Sequence, residues 1–454
     1  MSLSIVILAA GQGTRMRSGL PKVLHPLGGQ PLLGHVIACA HALAADAIHV
    51  VIGHGAELVR TAFADAGVNW VLQGEQLGTG HAVAQAMPGI PDNHVVLVMY
   101  GDVPLIQKST LEPLCVTAEQ GFVGVLTAEL PDPTGYGRIL HHADGSISGI
   151  VEQKDASDSE RKICEINTGF IAAPAAALRR WVTALDNRNA QGEFYLTDIV
   201  SSAVRDGVGV RGIRTTEIDE VLGINDRLQL ALQERCLQRR AAVDCMRAGV
   251  TLIDPDRFDL RGTLHAGEDV IIDVNAVLQG EIRLGNRVSI GPNVVMHNVI
   301  AGDDVSILAN CVIEDAVIGN GARIGPFARL RPETRLADNT HVGNFVEIKK
   351  SDVGEGSKIN HLSYVGDSTI GRSVNIGAGT ITCNYDGANK HRTIIGNDVF
   401  VGSDTQLVAP VTIADGATIG AGSTITRDAP ADELTLSRAE QKTIRGWKRP
   451  VKKK

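Results

Sequence analysis

Two rhythms of apolar and polar positions divide this chain. In the first half, short apolar runs at residues 4–10, 48–53, 70–73 and 94–100 have the length and β-branched content of buried strands. Stretches with helical character at 32–43 and 80–87 separate them. Strands alternating with helices predict an α/β domain with a largely parallel sheet. In the second half, from about Leu264 to about Ile425, an aliphatic residue recurs six positions apart: Leu284 and Ile290, Ile318 and Ile324, Ile370 and Ile376, Ile395 and Val401, then Ile413, Ile419 and Ile425. A glycine usually follows, at Gly285, Gly291, Gly319, Gly325, Gly371, Gly377, Gly396, Gly402 and Gly420. A period of six fits neither an α-helix nor a hairpin array. It fits short strands alternating with tight turns, one side chain inward per strand, wound into a parallel β-helix. Three hexapeptides make one triangular coil, which predicts roughly nine coils stacked ~4.8 Å apart, with glycine supplying positive φ in the turns. Between the halves, residues 228–246 read as one helix of about 19 residues, or ~28 Å. The expected organisation is a domain at 1–227, a helical linker at 228–248 and a β-helix domain with a basic tail at 249–454.

Composition changes this picture little. Glycine at 50 of 454 residues and aromatics at 4% both follow from a solenoid whose narrow interior takes Val, Ile, Leu and Ala. The net charge of −8 argues against general binding to nucleic acid or to an anionic membrane. Seven cysteines are scattered and never at C-x-x-C spacing, which suits a reducing cytosol and offers no metal framework. The apolar stretch at 4–10 lacks a basic leader and reads as a strand rather than a signal peptide. No run approaches the ~18 apolar residues of a membrane span. The expectation is a soluble, cytoplasmic protein.

The candidate chemistry begins at Leu8-Ala9-Ala10-Gly11-Gln12-Gly13-Thr14-Arg15-Met16, with Pro21-Lys22 shortly after. A glycine-rich turn between a strand and a helix exposes backbone N–H groups to an anion. Gly-x-Gly alone is also a common plain turn, but Arg15 and Lys22 add two cations suited to a triphosphate. Here the sequence resembles the sugar-nucleotide pyrophosphorylases, whose signature is L-x-x-G-x-G-T-R-M followed by P-K. A second group, Tyr100-Gly101-Asp102, ends the strand at 94–100. An Asp at the carboxyl end of a parallel strand sits where α/β sheets bind ligands, and Mg²⁺ takes one or two such oxygens together with phosphate oxygens. The resemblance implies Asn225 as the second Mg²⁺ ligand; from the residues alone, Asn225-Asp226 is a turn before a helix.

Further segments extend the match: Leu72-Gln73 with Leu77-Gly78-Thr79-Gly80, the run D-P-T-G-Y-G-R at 132–138, Gly149-Ile150-Val151-Glu152, and Glu165-Ile166-Asn167-Thr168-Gly169. With them the chain resembles, over essentially its whole length, the bacterial bifunctional N-acetylglucosamine-1-phosphate uridyltransferase/glucosamine-1-phosphate acetyltransferases. That resemblance implies a Rossmann-like nucleotidyltransferase domain joined by a helical linker to a left-handed parallel β-helix, the hand being taken from known hexapeptide proteins. It places Leu8, Ala9, Ala10, Gly11, Lys22, Tyr100, Gly101, Asp102 and Asn225 around UTP, Gln73, Gly78 and Thr79 at the uracil, and Gly137, Glu152 and Asn167 at the amino sugar. The implied reaction is attack of the sugar phosphate on the α-phosphorus of UTP. Arg15 would stabilise the departing pyrophosphate and Lys22 the α-phosphate region, without any protein nucleophile.

In the repeats, Asn360-His361-Leu362-Ser363-Tyr364 and the segment 380–393 interrupt the period. A lone histidine on a solenoid is more often a surface residue, whereas loops leaving a rigid solenoid carry binding groups. The resemblance makes His361 the general base for acetyl transfer from acetyl-CoA, a role suited to an imidazole, which ordinarily titrates near 6.5. Glu347 is a candidate to orient it. Arg331 and Lys349 are placed on the sugar phosphate, Tyr364 and Asn375 on the sugar, and Ala378, Asn384, Tyr385, Ser403, Ala421 and Arg438 around acetyl-CoA. A homotrimer with sites between subunits is implied. The basic tail (Lys442, Arg445, Lys448, Arg449, Lys452, Lys453 and Lys454) suits assistance to anionic substrates or a solvated end. The alternative reading is a monofunctional pyrophosphorylase with a structural β-helix, which would lack His361, Tyr364 and the Asn384-Tyr385 loop.

Overall fold

The computed structural model describes residues 2–452; Lys453 and Lys454 of the basic tail lie outside the described residues. The chain forms two compact units, one ending at Leu237 and one beginning at Gln238. The dividing point falls inside a single helix, Arg227–Arg247. Leu230 and Leu237 of its first part pack on Leu27, Leu32 and Ile224, while Ala242 and Cys245 of its second part pack into the solenoid core. Each half of the helix therefore belongs to a different core.

In the first unit the strands are β1 (Leu3–Ala9), β2 (Ala47–Ile52), β3 (Asn69–Leu72), β4 (Val95–Tyr100), β5 (Val123–Glu129), β6 (Gly137–His141), β7 (Ile147–Val151), β8 (Glu165–Pro174) and β9 (Val210–Arg214). They form one sheet in the order β9-β5-β8-β4-β1-β2-β3, with the β6–β7 hairpin attached to β8. The run β4-β1-β2-β3 is parallel; β8 runs against both its neighbours on the main path. Parallel strands are covered on both faces, so their sequences are apolar without alternation. Ile5, Ile7, Leu97 and Met99 pack on one side with Leu33, Val36 and Ile37 of helix Leu32–Ala42. Val6, Val96 and Val98 pack on the other with Ala82 and Val83 of helix Thr79–Ala86. The register sets Leu8 beside Tyr100 and Ala9 beside Ile52, so the carboxyl ends of β1, β2 and β4 finish together.

The second unit is a parallel β-helix with three faces. On the first, Leu252, Ile272, Ile290, Ile307, Ile324, Val342, Ile359, Ile376, Val401 and Ile419 form one buried column. The second carries strands Glu347–Lys349 and Tyr364–Gly366, and the third Asp352–Val353 and Ser368–Ile370. First-face strands continue from Thr251–Leu252 to Leu434–Thr435, so the solenoid begins earlier and ends later than the six-residue period indicates. The first coil escapes the pattern because the buried aromatic Phe258 and the helix residue Ala242 help close its interior. The interruption at 380–393 is also shorter than expected. Strands Ile381–Cys383 and Thr393–Ile395 remain in the coil and only 384–392 leaves it.

The repeat glycines act differently from the expectation. Among those following an aliphatic residue only Gly325 has positive φ. The positive-φ turn positions are held most often by Asn and Asp, including Asp269, Asn275, Asn293, Asp304 and Asn310, whose short polar side chains tolerate that region, and by other glycines such as Gly321, Gly356 and Gly416. The glycines are required by stacking. A Cβ on Gly285 would lie 2.4 Å from Asp303 Oδ1, and one on Gly402 2.4 Å from the Ala421 nitrogen. That closeness serves a side-chain ladder: Asn286 N–H donates to Asp303 Oδ1, Asp303 N–H to Asn320 Oδ1, and Asn320 N–H to Asp338 Oδ1, at 2.7–2.8 Å.

Candidate active sites

The carboxyl ends of β1 and β4 open into a cleft of about 410 Å³. Leu8, Ala9, Ala10, Gly11, Lys22, Gln73, Gly78, Thr79, Tyr100 and Asp102 line it, bringing together ten of the positions expected at the nucleotide. Gly101 lies just beneath, its N–H donating to the Leu8 carbonyl at 2.9 Å, with Ala9 and Leu33 crowding the place a side chain would take. The glycine-rich turn leads into a single 3₁₀ turn, Thr14–Met16, and not into an α-helix. Gly13 is left-handed (φ 62°), and a Cβ there would come within 2.6 Å of Lys22 Cβ. This glycine therefore lets Lys22 pack against the loop. Arg15 is exposed and makes no hydrogen bond or ion pair among the described residues.

The ammonium of Lys22 pairs with the Asp102 carboxylate and lies 3.2 Å from Asn225 Oδ1. Three residues far apart in sequence thus converge on one point, and Ile224 N–H bonded to the Asp102 carbonyl at 2.9 Å holds the third in place. Asp226 caps the following helix through Gln229 N–H at 2.8 Å. Two hard oxygens meeting around a cation are a donor set that suits Mg²⁺ completed by phosphate and water oxygens.

Gly137, Glu152 and Asn167 form a second neighbourhood behind Tyr100. Gly137 and Asn167 are paired across β6 and β8. Glu152 lies close enough that a Cβ on Gly137 would be 3.5 Å from its Oε2, and it accepts a 3.0 Å bond from the Thr197 hydroxyl. Burial, assisted by Asp198, Asp155 and Glu193, raises the Glu152 carboxyl above the ordinary glutamate range. Burial raises the Tyr100 hydroxyl too, with Glu152 and Asp102 adding to it. Sequence reasoning missed Gln76 and Glu193 of the cleft, which carry no periodic or motif signal, and Gln12, which fills the variable position of the glycine-rich motif. It also passed over Arg138, whose side chain is fully buried and has no carboxylate partner among the described residues. Arg138 donates to the Tyr136 carbonyl, to Gln153 Oε1 at 2.7 Å and to the Arg161 carbonyl at 3.4 Å, tying the segments that carry Gly137 and Glu152.

The solenoid arranges its candidates in columns. At the edge between the first and second faces, Leu362 N–H donates to Asn344 O, Gly379 N–H to His361 O, Asp404 N–H to Ala378 O, and Gly422 N–H to Ser403 O. Asn344, His361, Ala378, Ser403 and Ala421 therefore succeed one another coil by coil, and Arg438 donates to the Ala421 carbonyl at 2.9 Å. His361 Nδ1 is 2.7 Å from Asn344 Oδ1. An amide oxygen can only accept, so Nδ1 carries the proton and Nε2 keeps its lone pair. Glu347, the expected orienting group, instead accepts from Arg331 at 2.8 Å on the second face. The strand register explains this, since Glu347 stacks on Tyr364 while Asn344 stacks on His361.

Toward the opposite edge of the second face, Leu330–Ile348 pairing sets Arg331 on the coil beside Lys349, and Lys349 beside Gly366. Lys390 approaches Lys349 and depresses its ammonium below the ordinary lysine range, with Arg331 contributing. Tyr364 and Asn384 both lean over Gly366, and Asn384 donates to Asp367 at 2.5 Å. Tyr385, exposed, bonds through its hydroxyl to the Gly387 carbonyl at 2.6 Å, inside a small excursion in which Asp386 accepts from Ala388, Asn389 and His391. Asn375 stacks between Lys358 and Phe400 at the start of the first face, away from Tyr364. One chain thus spreads its acetyl-transfer candidates over two faces.

A nucleotidyltransferase cleft on one unit and a hexapeptide solenoid on the other define a chain with two transferase modules. Residues 5–163 match the MobA-like NTP transferase domain, and residues 315–350 and 392–427 match the bacterial transferase hexapeptide (six repeats). The chain belongs to the family of the bifunctional protein GlmU: it is 58% identical over 449 residues to that protein from Alkalilimnicola ehrlichii, covering 99% of this chain and 97% of the relative. Among solved structures, a nucleotidyl transferase from Methanothermobacter thermautotroptrophicus aligns with 52% of this chain and 98% of its own at 22% identity and TM-score 0.38. UDP-glucose pyrophosphorylase complexed with UDP-glucose aligns with 53% and 100% at 15% identity and TM-score 0.43. No helix among the described residues is long and apolar enough to cross a membrane.

Proposed function

We propose that this chain is a bifunctional enzyme that acetylates glucosamine-1-phosphate from acetyl-CoA and then transfers UMP from UTP to the N-acetylglucosamine-1-phosphate formed, releasing pyrophosphate. The observation that carries the first site is the meeting of Lys22, Asp102 and Asn225 beside the glycine-rich loop. Attacker and electrophile are both anions, so the work is positioning and charge neutralisation. Asp102 and Asn225 would hold Mg²⁺, which when bound supplies charge neutralisation at the phosphoryl groups. Lys22 then turns its ammonium to the α-phosphate region, and the exposed Arg15 meets the departing pyrophosphate. Gln73, Gly78 and Thr79 receive the base, and Gly137, Glu152 and Asn167 the amino sugar.

For acetyl transfer, His361 Nε2 takes a proton from the attacking amine while Asn344 holds the ring. Arg331, Lys349 and Lys390 bring positive charge to the sugar phosphate. The edge bearing Ala378, Ser403 and Ala421 receives acetyl-CoA, with Arg438 at its far end. The assembly is a homotrimer working in the cytoplasm. Beside His361 runs an apolar ridge of Phe327, Phe345 and Leu362, each about half exposed or more, with the two rings stacked at 5.2 Å. Bulky residues at positive φ are uncommon, and these have φ of 57°, 55° and 49°. A second copy would cover the ridge and bring its own second face against His361.

Incubation with glucosamine-1-phosphate, acetyl-CoA, UTP and Mg²⁺ is expected to release both coenzyme A and pyrophosphate; release of one alone reduces the enzyme to a single activity. Reassembling inactive His361→Ala chains with inactive Asn384→Ala chains is expected to restore some acetyl transfer. Failure in verified mixed trimers places both residues at a site within one chain.

A further inference from the structure

We propose that His81, acting with the Gly78 carbonyl, sharpens the pyrimidine selectivity of the nucleotide cleft by locking which end of the Gln73 amide faces the base, an inference that rests on reading the cleft as the UTP site. Gln73 is nearly fully buried and lines the cleft. Its amide nitrogen lies 3.2 Å from the Gly78 carbonyl oxygen and 3.0 Å from His81 Nδ1. A carbonyl can only accept, so the nitrogen end of the amide is the one directed at Gly78. The same NH₂ group then donates its other hydrogen to Nδ1, which must carry a lone pair. The imidazole proton consequently sits on Nε2, 3.1 Å from the amide nitrogen of Gln85; that side chain is exposed, and a half-turn of its amide sets the oxygen against the Nε2 proton. The ring is flanked by Phe194, with centroids 6.3 Å apart.

Both hydrogens of the Gln73 amide are thereby consumed, and Oε1, which has no hydrogen bond among the described residues, is left as a pure acceptor. Uracil offers a donor at N3–H. Cytosine has a lone pair at N3 and would set acceptor against acceptor. A glutamine free to rotate presents either end and discriminates poorly; the Gly78 carbonyl and the His81 lone pair together remove that freedom, and His81 is the side-chain half of the pair. It acts through Gln73 without touching the substrate and is therefore a positioning residue.

The test measures kcat/KM for UTP and for CTP with the full chain carrying His81→Leu or His81→Asn, following acetyl transfer and melting temperature in the same preparations. The unsubstituted enzyme must first prefer UTP; if it does not, the UTP reading of the cleft falls, independently of His81. Given that preference, His81→Leu is expected to lower the UTP-to-CTP ratio about ten-fold, the weight of one neutral hydrogen bond. Most of the change should come from loss with UTP. His81→Asn, whose Oδ1 can stand in for Nδ1 as acceptor, is expected to keep the ratio near its original value. His81→Ala serves the same purpose if leucine lowers the melting temperature. An unchanged ratio in the leucine or alanine variant, or equal falls with both nucleotides, overturns the proposal.

Discussion

The two units solve the same problem, holding several side chains in register, by opposite means. In the α/β unit the site is convergent: Lys22, Asp102 and Asn225 meet only because three loops end at one edge of one sheet. In the solenoid the site is translational, since Asn344, His361, Ala378 and Ser403 occupy the same corner of consecutive coils. A convergent site depends on the buried contacts that fold its loops. A translational site depends on coil spacing, and hence on the glycines and the Asn/Asp ladder.

The largest expected effects separate the two. Asp102→Ala should abolish uridylyl transfer and spare acetyl transfer, while His361→Ala should do the reverse, with a loss of about 10²–10⁴-fold, the range of a general base. Assays of both reactions on each variant decide it, and loss of both activities in either folded variant would break the separation. Asn344→Ala should cost acetyl transfer about ten-fold in kcat with KM for the amino sugar held, as expected for an orienting bond.

Next in size is the dependence on coil spacing. Gly396→Ala places a Cβ 2.2 Å from Asp415 Oδ1, so the coils must part; a destabilisation of about 1–3 kcal/mol is expected from overpacking. Asn293→Gly, at a positive-φ turn, should change stability by only a few tenths of a kcal/mol by comparison. Equal melting temperatures for the two variants would contradict stacking as the reason for the repeat glycines.

That point shows how far the sequence could be read. The period of six announced a coil because a solenoid repeats its local environment, and the apolar runs announced buried strands for the same reason. The glycines were legible as a pattern but their purpose was not, since the clash that requires them comes from the following coil. His361 stood out as a break in the period, whereas its partner Asn344 did not, because stacking and not sequence proximity joins them. In the α/β unit, Asn225 was legible only by resemblance, and Arg138 was lost in a run that reads as a turn. Convergence leaves no periodic trace.

Arg138 provides a smaller test. Arg138→Met leaves the Tyr136 and Arg161 carbonyls and Gln153 without their donor, loosening the segments that carry Gly137 and Glu152. KM for N-acetylglucosamine-1-phosphate should rise about ten-fold, with a loss of about 2 kcal/mol from unsatisfied buried groups, while acetyl transfer is unaffected. A fall confined to kcat would count against a positioning role. The smallest effect concerns pH. Because burial raises the Glu152 carboxyl in the folded state, its contribution is fully present below the ordinary glutamate value and is lost as pH rises through the raised one. Glu152→Gln should therefore melt about 1–2 °C higher than the parent near pH 8 and level with it near pH 4, as scanning calorimetry at the two values would show.

The edge that carries His361 is, finally, a ruler. Its graduations are single coils of ~4.8 Å, and from His361 to Ala421 there are three of them, or ~14 Å. A cosubstrate laid along that edge is measured against the polypeptide itself, so the reacting end reaches the imidazole only when the remote end rests at the correct mark. Removing one whole coil between Ser403 and Ala421, where no excursion leaves the solenoid, would keep the remaining side chains facing the same way and leave the scale one division short.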